Sequence, residues 1–193
     1  MNPGGSVKDR AALGILSDAF KNNLLKKDGI IVEGTAGNTG ISLTQLGNSI
    51  GCKTVIVMPE TQSDEKKRLL EILGAELILV PAVPYKNPNN YVKYSKKISE
   101  DLSKKEKKKT VFWANQFDNT SNLDAHFNTT GPEIWEQTCG KVDGFVCAIG
   151  SGGTIAGVGK FLKKKNSKIR IGLSDPYGSA LYNYFSINEM KSE

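Results

Sequence analysis

The sequence predicts an α/β fold built on parallel sheets, and three observations carry that reading. Short, almost wholly apolar runs recur at Ile30-Ile31-Val32, Thr54 to Met58, Leu77 to Val80, Val111-Phe112-Trp113, Phe145 to Ile149 and Ile169 to Leu173. Unbroken apolar runs suit strands covered on both faces, which is how parallel strands are buried. Stretches of helical periodicity separate these runs, giving the βα rhythm. Several turns after the runs are rich in Gly, Asn, Ser and Thr, and in parallel sheets such turns lie where ligands bind.

Taken in order, Ser6 with Asp9 three residues on reads as a capping signal for a first helix. Its apolar positions are Ala12, Ile15, Leu16, Ala19 and Phe20, and it is expected to run from Ser6 to Lys27, before Gly29. Lys8 then falls in the first turn, where the helix dipole disfavours a cation. The same place suits a lysine that loses its charge in a Schiff base, although on its own a solvated lysine explains the position better. The strand 30–32 leads into a loop from Glu33 to Gly40 and a helix near Ile41. The second strand stops at Pro59. A charged helix from Ser63 to Leu73 gathers Leu69, Leu70 and Leu73 on one side, and the third strand stops at Pro81.

The stretch from Ala82 to Asn90, with Pro84, Pro88 and three asparagines, reads as a loop. A polar helix from Asn90 to Lys105 precedes the strand 111–113, and Asn115 to Asn122 reads as a further loop. A helix near Pro132 to Thr138, the strand 144–149, a glycine turn, a helix to Lys165 and the strand 169–173 complete the pattern. The tail after Tyr184 shows little periodicity.

Composition narrows the classes. At 193 residues, with 38% hydrophobic and 24% charged residues, the chain has the make-up of one large globular domain or two small ones. No stretch approaches the ~18 apolar residues of a membrane span. The first ten residues are polar and glycine-rich and do not read as a secretory or transit leader. Cys52, Cys139 and Cys147 lack metal-ligand spacing, and Cys147, inside an apolar run, reads as a small core residue. No metal is expected. The net charge of +6 comes largely from Lys104 to Lys109 and Lys163 to Lys165, which read as solvated surface without the interleaved aromatics of a nucleic-acid face.

Three turns are candidates for chemistry, with an ordinary βα turn as the alternative at 35–40 and a tight packing turn at 150–154. Thr35-Ala36-Gly37-Asn38-Thr39-Gly40 lies between a strand and a helix, where helix-start amides can hold a carboxylate. Gly150-Ser151-Gly152-Gly153-Thr154 follows a strand and opens a helix, as a phosphate cradle does. It lacks the G-K-[ST] ending of a Walker loop and the spacing of G-x-G-x-x-G, so a small phosphate-bearing cofactor suits it better than a nucleotide. Asn115-Gln116-Phe117-Asp118-Asn119 ends another strand and places Gln116 where it could meet a substrate carboxylate, although on its own an Asx-capped loop explains it better. The single histidine, His126, reads as structural, which argues against zinc chemistry and a Ser-His-Asp hydrolase.

Together these motifs resemble the cysteine synthase and cystathionine β-synthase family of pyridoxal-phosphate enzymes. The likeness rests on Asn2-Pro3-x-x-Ser6-Val7-Lys8-Asp9-Arg10, the run 35–40, Gln116-Phe117-x-Asn119, Thr130 to Trp135, the run 150–154 and Gly172 to Pro176. The resemblance implies a type II pyridoxal-phosphate fold with two parallel-sheet α/β domains. Residues 1–118 would form the small domain with the lysine and the asparagine loop, and 119–193 part of the large domain with the phosphate loop. It implies that Lys8 is the Schiff-base lysine and that Asn38 bonds the cofactor's ring oxygen. Gly150, Ser151, Gly152, Gly153 and Thr154 would cup the phosphate. Thr35, Ala36, Asn38, Thr39 and Gln116 would line the substrate carboxylate site.

The implied reaction is β-replacement on O-acetyl-L-serine by sulfide to give L-cysteine, with small amino acids as the partners and a homodimer as the usual assembly. The alternatives are condensation of serine with homocysteine and a non-catalytic fragment. Dehydratases usually read G-N-H where this chain has Gly37-Asn38-Thr39. Ala36 stands where the family usually has Ser, and Ser151 where it usually has Thr. Against the family pattern the chain is expected to be incomplete at both ends and weakly active or inactive alone. Its expected compartment is the cytoplasm or the mitochondrion.

Overall fold

The computed structural model describes residues 1–192, which fall into two compact units divided between Ala125 and His126. In the first unit, β1 (Ile30–Gly34), β2 (Lys53–Pro59), β3 (Glu76–Val80) and β4 (Val111–Trp113) form one parallel sheet in the order β3-β2-β1-β4. The helix α1 (Lys8–Lys21) precedes it. The crossovers are α2 (Asn38–Ser49), α3 (Asp64–Ile72) and α4 (Tyr91–Lys105). From β1 the chain steps outward to β3 and then returns to the far side of β1 as β4. The strand order therefore reverses between β1 and β4, and the loops after both leave the sheet at that switch point.

The two faces follow from the alternation of side chains along a strand. Ile31 and Phe112 join Ala12, Ile15, Leu16 and Leu43 in a core against α1 and α2. Ile30, Val32 and Val55 pack instead with Ile98, Leu102 and Trp113 beneath α4. All five residues of β1 are buried, so its apolar run is covered on both sides. By the same alternation Glu33 belongs to the face of Ile31 and Gly34 to the face of Val32. A Cβ at Gly34 would lie 2.6 Å from the Tyr91 carbonyl oxygen and 2.7 Å from Ser95 Oγ, so glycine is what lets α4 seat on the strand.

The second unit holds α6 (Thr130–Gln137), β5 (Gly144–Ala148), α7 (Gly153–Lys165), β6 (Arg170–Ser174) and α8 (Ala180–Ile187), with β5 and β6 paired in parallel. The division between the units falls inside α5 (Ser121–Asn128). Val158, Leu162 and Ile169 form the buried centre, with Ile134, Trp135, Phe145, Phe161 and Ile171 around it. The lysines 163–165 are exposed, and Lys165 lies 5.5 Å from the Phe161 ring centroid.

Several elements differ from the sequence reading. The first helix starts at Lys8 and ends at Lys21, well before Lys27. Asn23 takes a φ of +58° there; Leu24 N–H donates to the Ala19 carbonyl and Asn23 N–H to that of Phe20. That pair of bonds is a Schellman ending, made here by asparagine rather than glycine. Glu33 is strand, not loop. The segment read as a loop to Asn122 turns helical at Ser121, and a helix reaches Ile187 in the tail. Cys147 is half-buried rather than core, and its neighbour Val146 is 67% exposed on the other face of β5.

Candidate active site

The site residues of the first unit come from three segments. The first is the start of α1. Gly5 N–H donates to the Asn2 carbonyl in a turn, and Lys8 is the first residue of the helix. The expected capping box is rearranged. Val7 holds the cap position without a side-chain bond, and Ser6 Oγ accepts from Lys8 N–H at 3.3 Å. Asp9 reaches back past Ser6 and accepts from Gly4 N–H at 2.7 Å. Its other oxygen accepts from Ser42 Oγ, on α2, at 2.5 Å. Ser42 has the Asn38 carbonyl as a second, longer acceptor at 3.0 Å. One carboxylate thus ties the turn before Lys8 to the helix that begins with Asn38.

The second segment is the loop after β1. Gly37 caps α2 at a φ of +144°, a conformation that L side chains rarely adopt. A Cβ there would lie 2.6 Å from Lys66 Cδ. Gly37 N–H donates to Thr35 Oγ1 at 3.2 Å. Thr35 and Thr39 are buried, while Ala36 and Asn38 are exposed. By helix geometry the N–H groups of the first turn of α2 have no intrahelical acceptor.

The third segment follows β4. Asn115 takes a φ of +47° and turns the chain. Gln116 points back to the loop after β1, accepting from Thr39 Oγ1 at 2.6 Å and donating Nε2–H to Glu33 Oε1 at 3.1 Å. Its backbone N–H reaches Glu33 Oε2 at 3.4 Å. Asn122 Nδ2–H donates to the Gln116 carbonyl, and Asn119 Nδ2–H to that of Ala114, holding the loop in place. Asn115 Oδ1 is buried without a hydrogen-bond partner, an acceptor open to a donor.

Glu33 is the residue that sequence reasoning missed. It stands next to last in the buried strand β1, and burial pushes its carboxyl up to about 8 against the opposing pull of its bonds to Gln116 and the Asn115 backbone. The signal was present in the sequence: a carboxylate ending an apolar run, immediately before a turn that holds a candidate ligand loop.

In the second unit, Gly152 caps α7 at a φ of +86° and Gly153 is its first, buried residue. A Cβ at Gly152 would meet nothing within 4 Å. Thr154 Oγ1 lies 3.2 Å from His126 Nε2, and His126 Nδ1 lies 2.8 Å from Thr130 Oγ1. His126 is 1% exposed, so the buried ring fixes the Thr154 hydroxyl. Open space beside a left-handed glycine, a helix start and two hydroxyl residues is the polarity and room a phosphate needs. Asp175, Tyr177, Ser179, Tyr182 and Asn183 help line a cleft of about 480 Å³ after β6, which includes none of the residues expected to bind cofactor or substrate. Among the described residues no helix is long and apolar enough to cross a membrane.

Known proteins match this arrangement. Cysteine synthase 1 of Neurospora crassa is 52% identical over 187 residues, covering 96% of this chain and 48% of the relative. A cysteine synthase of Dictyostelium discoideum is 51% identical over 184 residues, covering 94% and 47%. The crystal structure of an O-acetylserine dependent cystathionine beta-synthase from Helicobacter pylori superposes with a TM-score of 0.85 at 36% identity, covering 94% of this chain and 57% of that one. The chain spans about half the length of the curated relatives it matches. Its architecture is that of the fold type II pyridoxal-phosphate enzymes, in part. The model of the family described as pyridoxal-phosphate dependent enzyme matches residues 1–192, and the chain belongs to that family.

Proposed function

We propose that this chain carries residues of a cysteine synthase-type β-replacement, in which O-acetyl-L-serine and sulfide give L-cysteine and acetate. The observation that carries the reading is the hydrogen bond from Thr39 to Gln116 at the switch point. It brings together the loops after β1 and β4, the two segments in which the sequence places a carboxylate site. The naming of relatives at 52% and 51% identity as cysteine synthases supports the choice of reaction.

In this reading Lys8 anchors pyridoxal phosphate, Asn38 bonds its ring oxygen, and Gly150, Ser151, Gly152, Gly153 and Thr154 hold its phosphate. When bound, the cofactor supplies the electron sink that makes the substrate's α-proton acidic. The protein's own work is positional. The first-turn amides of α2, with Thr35, Asn38, Thr39 and Gln116, hold the substrate carboxylate. Ala36 offers only its backbone there, being a residue without a polar side chain. The Lys8 amine takes the proton from the substrate Cα and returns it to the product. The tie from Asp9 to Ser42 keeps Lys8 in register with Asn38.

The test is to supply the purified chain and pyridoxal phosphate with O-acetyl-L-serine and sulfide, and separately with serine and homocysteine. At most slow formation of cysteine from the first pair, lost in Lys8→Ala, is the expected result for a chain that spans about half the length of its relatives. Cystathionine alone from the second pair would move the assignment to the cystathionine β-synthase reaction. No product from either pair would mean that the chain does not catalyse on its own.

A further inference from the structure

Glu33, Gln116 and Thr39 form a hydrogen-bonded line running from the interior to the loop after β1. All three are buried, at 1%, 5% and 2% exposure, so few waters compete for the bonds among them. Each link has a direction. An ionised carboxylate only accepts, so Gln116 turns its Nε2–H groups toward Glu33 and its Oε1 toward Thr39. Thr39 then donates its one hydroxyl proton inward, at 2.6 Å, and can offer a ligand only lone pairs. This is the arrangement in the structure, and it is poorly suited to a carboxylate ligand.

A proton on Glu33 reverses the line. The acid O–H donates to Gln116 Oε1 after a half-turn of the amide, Nε2–H then donates to Thr39, and the Thr39 proton is released toward the loop. The two amide orientations have the same shape, so the reversal needs no repacking. The Gln116 backbone N–H keeps its carboxyl oxygen in both.

We propose that Glu33 is a positioning residue whose proton decides which way the Gln116 amide is turned, and through it whether Thr39 presents a donor or an acceptor to a bound carboxylate. The proposal rests on the reading of the loop after β1 as the carboxylate site. Burial favours the protonated acid near neutral pH. α1, packed on the same face of β1, carries Lys8, Asp9, Arg10, Asp18 and Lys21, of which Asp9 is tied to Gly4 and Ser42. α2 carries no titratable side chain and β4 none. The single titratable group of β2, Lys53, is exposed and pairs with Ile30 at the opposite end of β1. On α4 the Tyr91 phenol is coupled to Glu33, and it is pushed up first by burial and then by the Glu33 charge.

The test follows the Gln116 side-chain amide by NMR in the ¹⁵N-glutamine-labelled full chain as pH is raised through about 8. The wild type is expected to show one titration at Gln116. Glu33→Gln, a permanent mimic of the protonated acid, should show none and should sit at the wild-type acid limit. Backbone spectra of the variant check that it folds. A Gln116 signal that does not move, or that still moves in Glu33→Gln, overturns the proposal. Acetate, which stays anionic throughout, is the ligand probe. Its Kd should rise on the order of tenfold from the acid to the alkaline limit in the wild type and stay constant in Glu33→Gln. Equal wild-type affinity at both limits would overturn the coupling to the ligand and keep the carboxylate site. No acetate binding at either limit would overturn the carboxylate reading, while the amide titration alone decides the reversal.

Discussion

Asp9 and Ser42 are joined by a 2.5 Å hydrogen bond that links the start of α1 to the first turns of α2. The same carboxylate accepts from Gly4 N–H, so it organises the turn that delivers Lys8. Residues 33 apart in sequence therefore fix the spacing between the lysine and the asparagine loop.

Removing that tie should be felt in both stability and site assembly. Asp9→Ala leaves the Gly4 N–H without its acceptor and the Ser42 hydroxyl with only the Asn38 carbonyl, and should cost about 2 kcal/mol in urea denaturation. Ser42→Ala should cost less. The double variant should lose less than the sum, because both remove one interaction. Strict additivity would show that the bond does not couple the two helices.

Glu33 should make stability fall as pH rises. Its folded-state proton is held to about 8, whereas an exposed glutamate releases it near 4.5. Between those values the folded chain binds a proton that the unfolded chain has lost. Unfolding then becomes easier by at most about 1.4 kcal/mol per pH unit. Above about 8 the effect levels off. Glu33→Gln should remove this slope and be more stable than wild type at alkaline pH. Parallel stability curves for the two proteins would contradict the assignment.

Gly34→Ala should destabilise by about 1–3 kcal/mol, since its methyl meets the α4 backbone, which cannot swing aside as a side chain can. A variant with unchanged thermal midpoint would show that α4 seats less tightly than described. The comparison with Gly152→Ala separates space from backbone strain, because Gly152 has open surroundings and a left-handed φ.

Much of this was legible in the residues. The apolar runs located the strands because parallel strands buried on both faces leave no polar alternation to obscure them. The turns 35–40 and 150–154 were visible because glycine and threonine, with asparagine in the first and serine in the second, cluster there for local reasons. What escaped depended on distant partners. Ser6 and Asp9 have the spacing of a capping box, but a short bond to Ser42 and another to Gly4 draw Asp9 elsewhere. Glu33 looked like the first residue of a loop, since charge rarely ends a buried strand. Only the return of β4 beside β1 brings Gln116 to cover it. The end of α1 was misplaced because Asn23, not Gly29, takes the left-handed position.

The most direct measurement is the visible absorption spectrum of the purified chain with pyridoxal phosphate, beside Lys8→Ala. A new band in the parent that moves when O-acetyl-L-serine is added, and that is absent from the variant, is the predicted result. A spectrum identical in the two proteins, or one indistinguishable from free pyridoxal phosphate, would contradict the assignment of Lys8 as the residue that holds the cofactor.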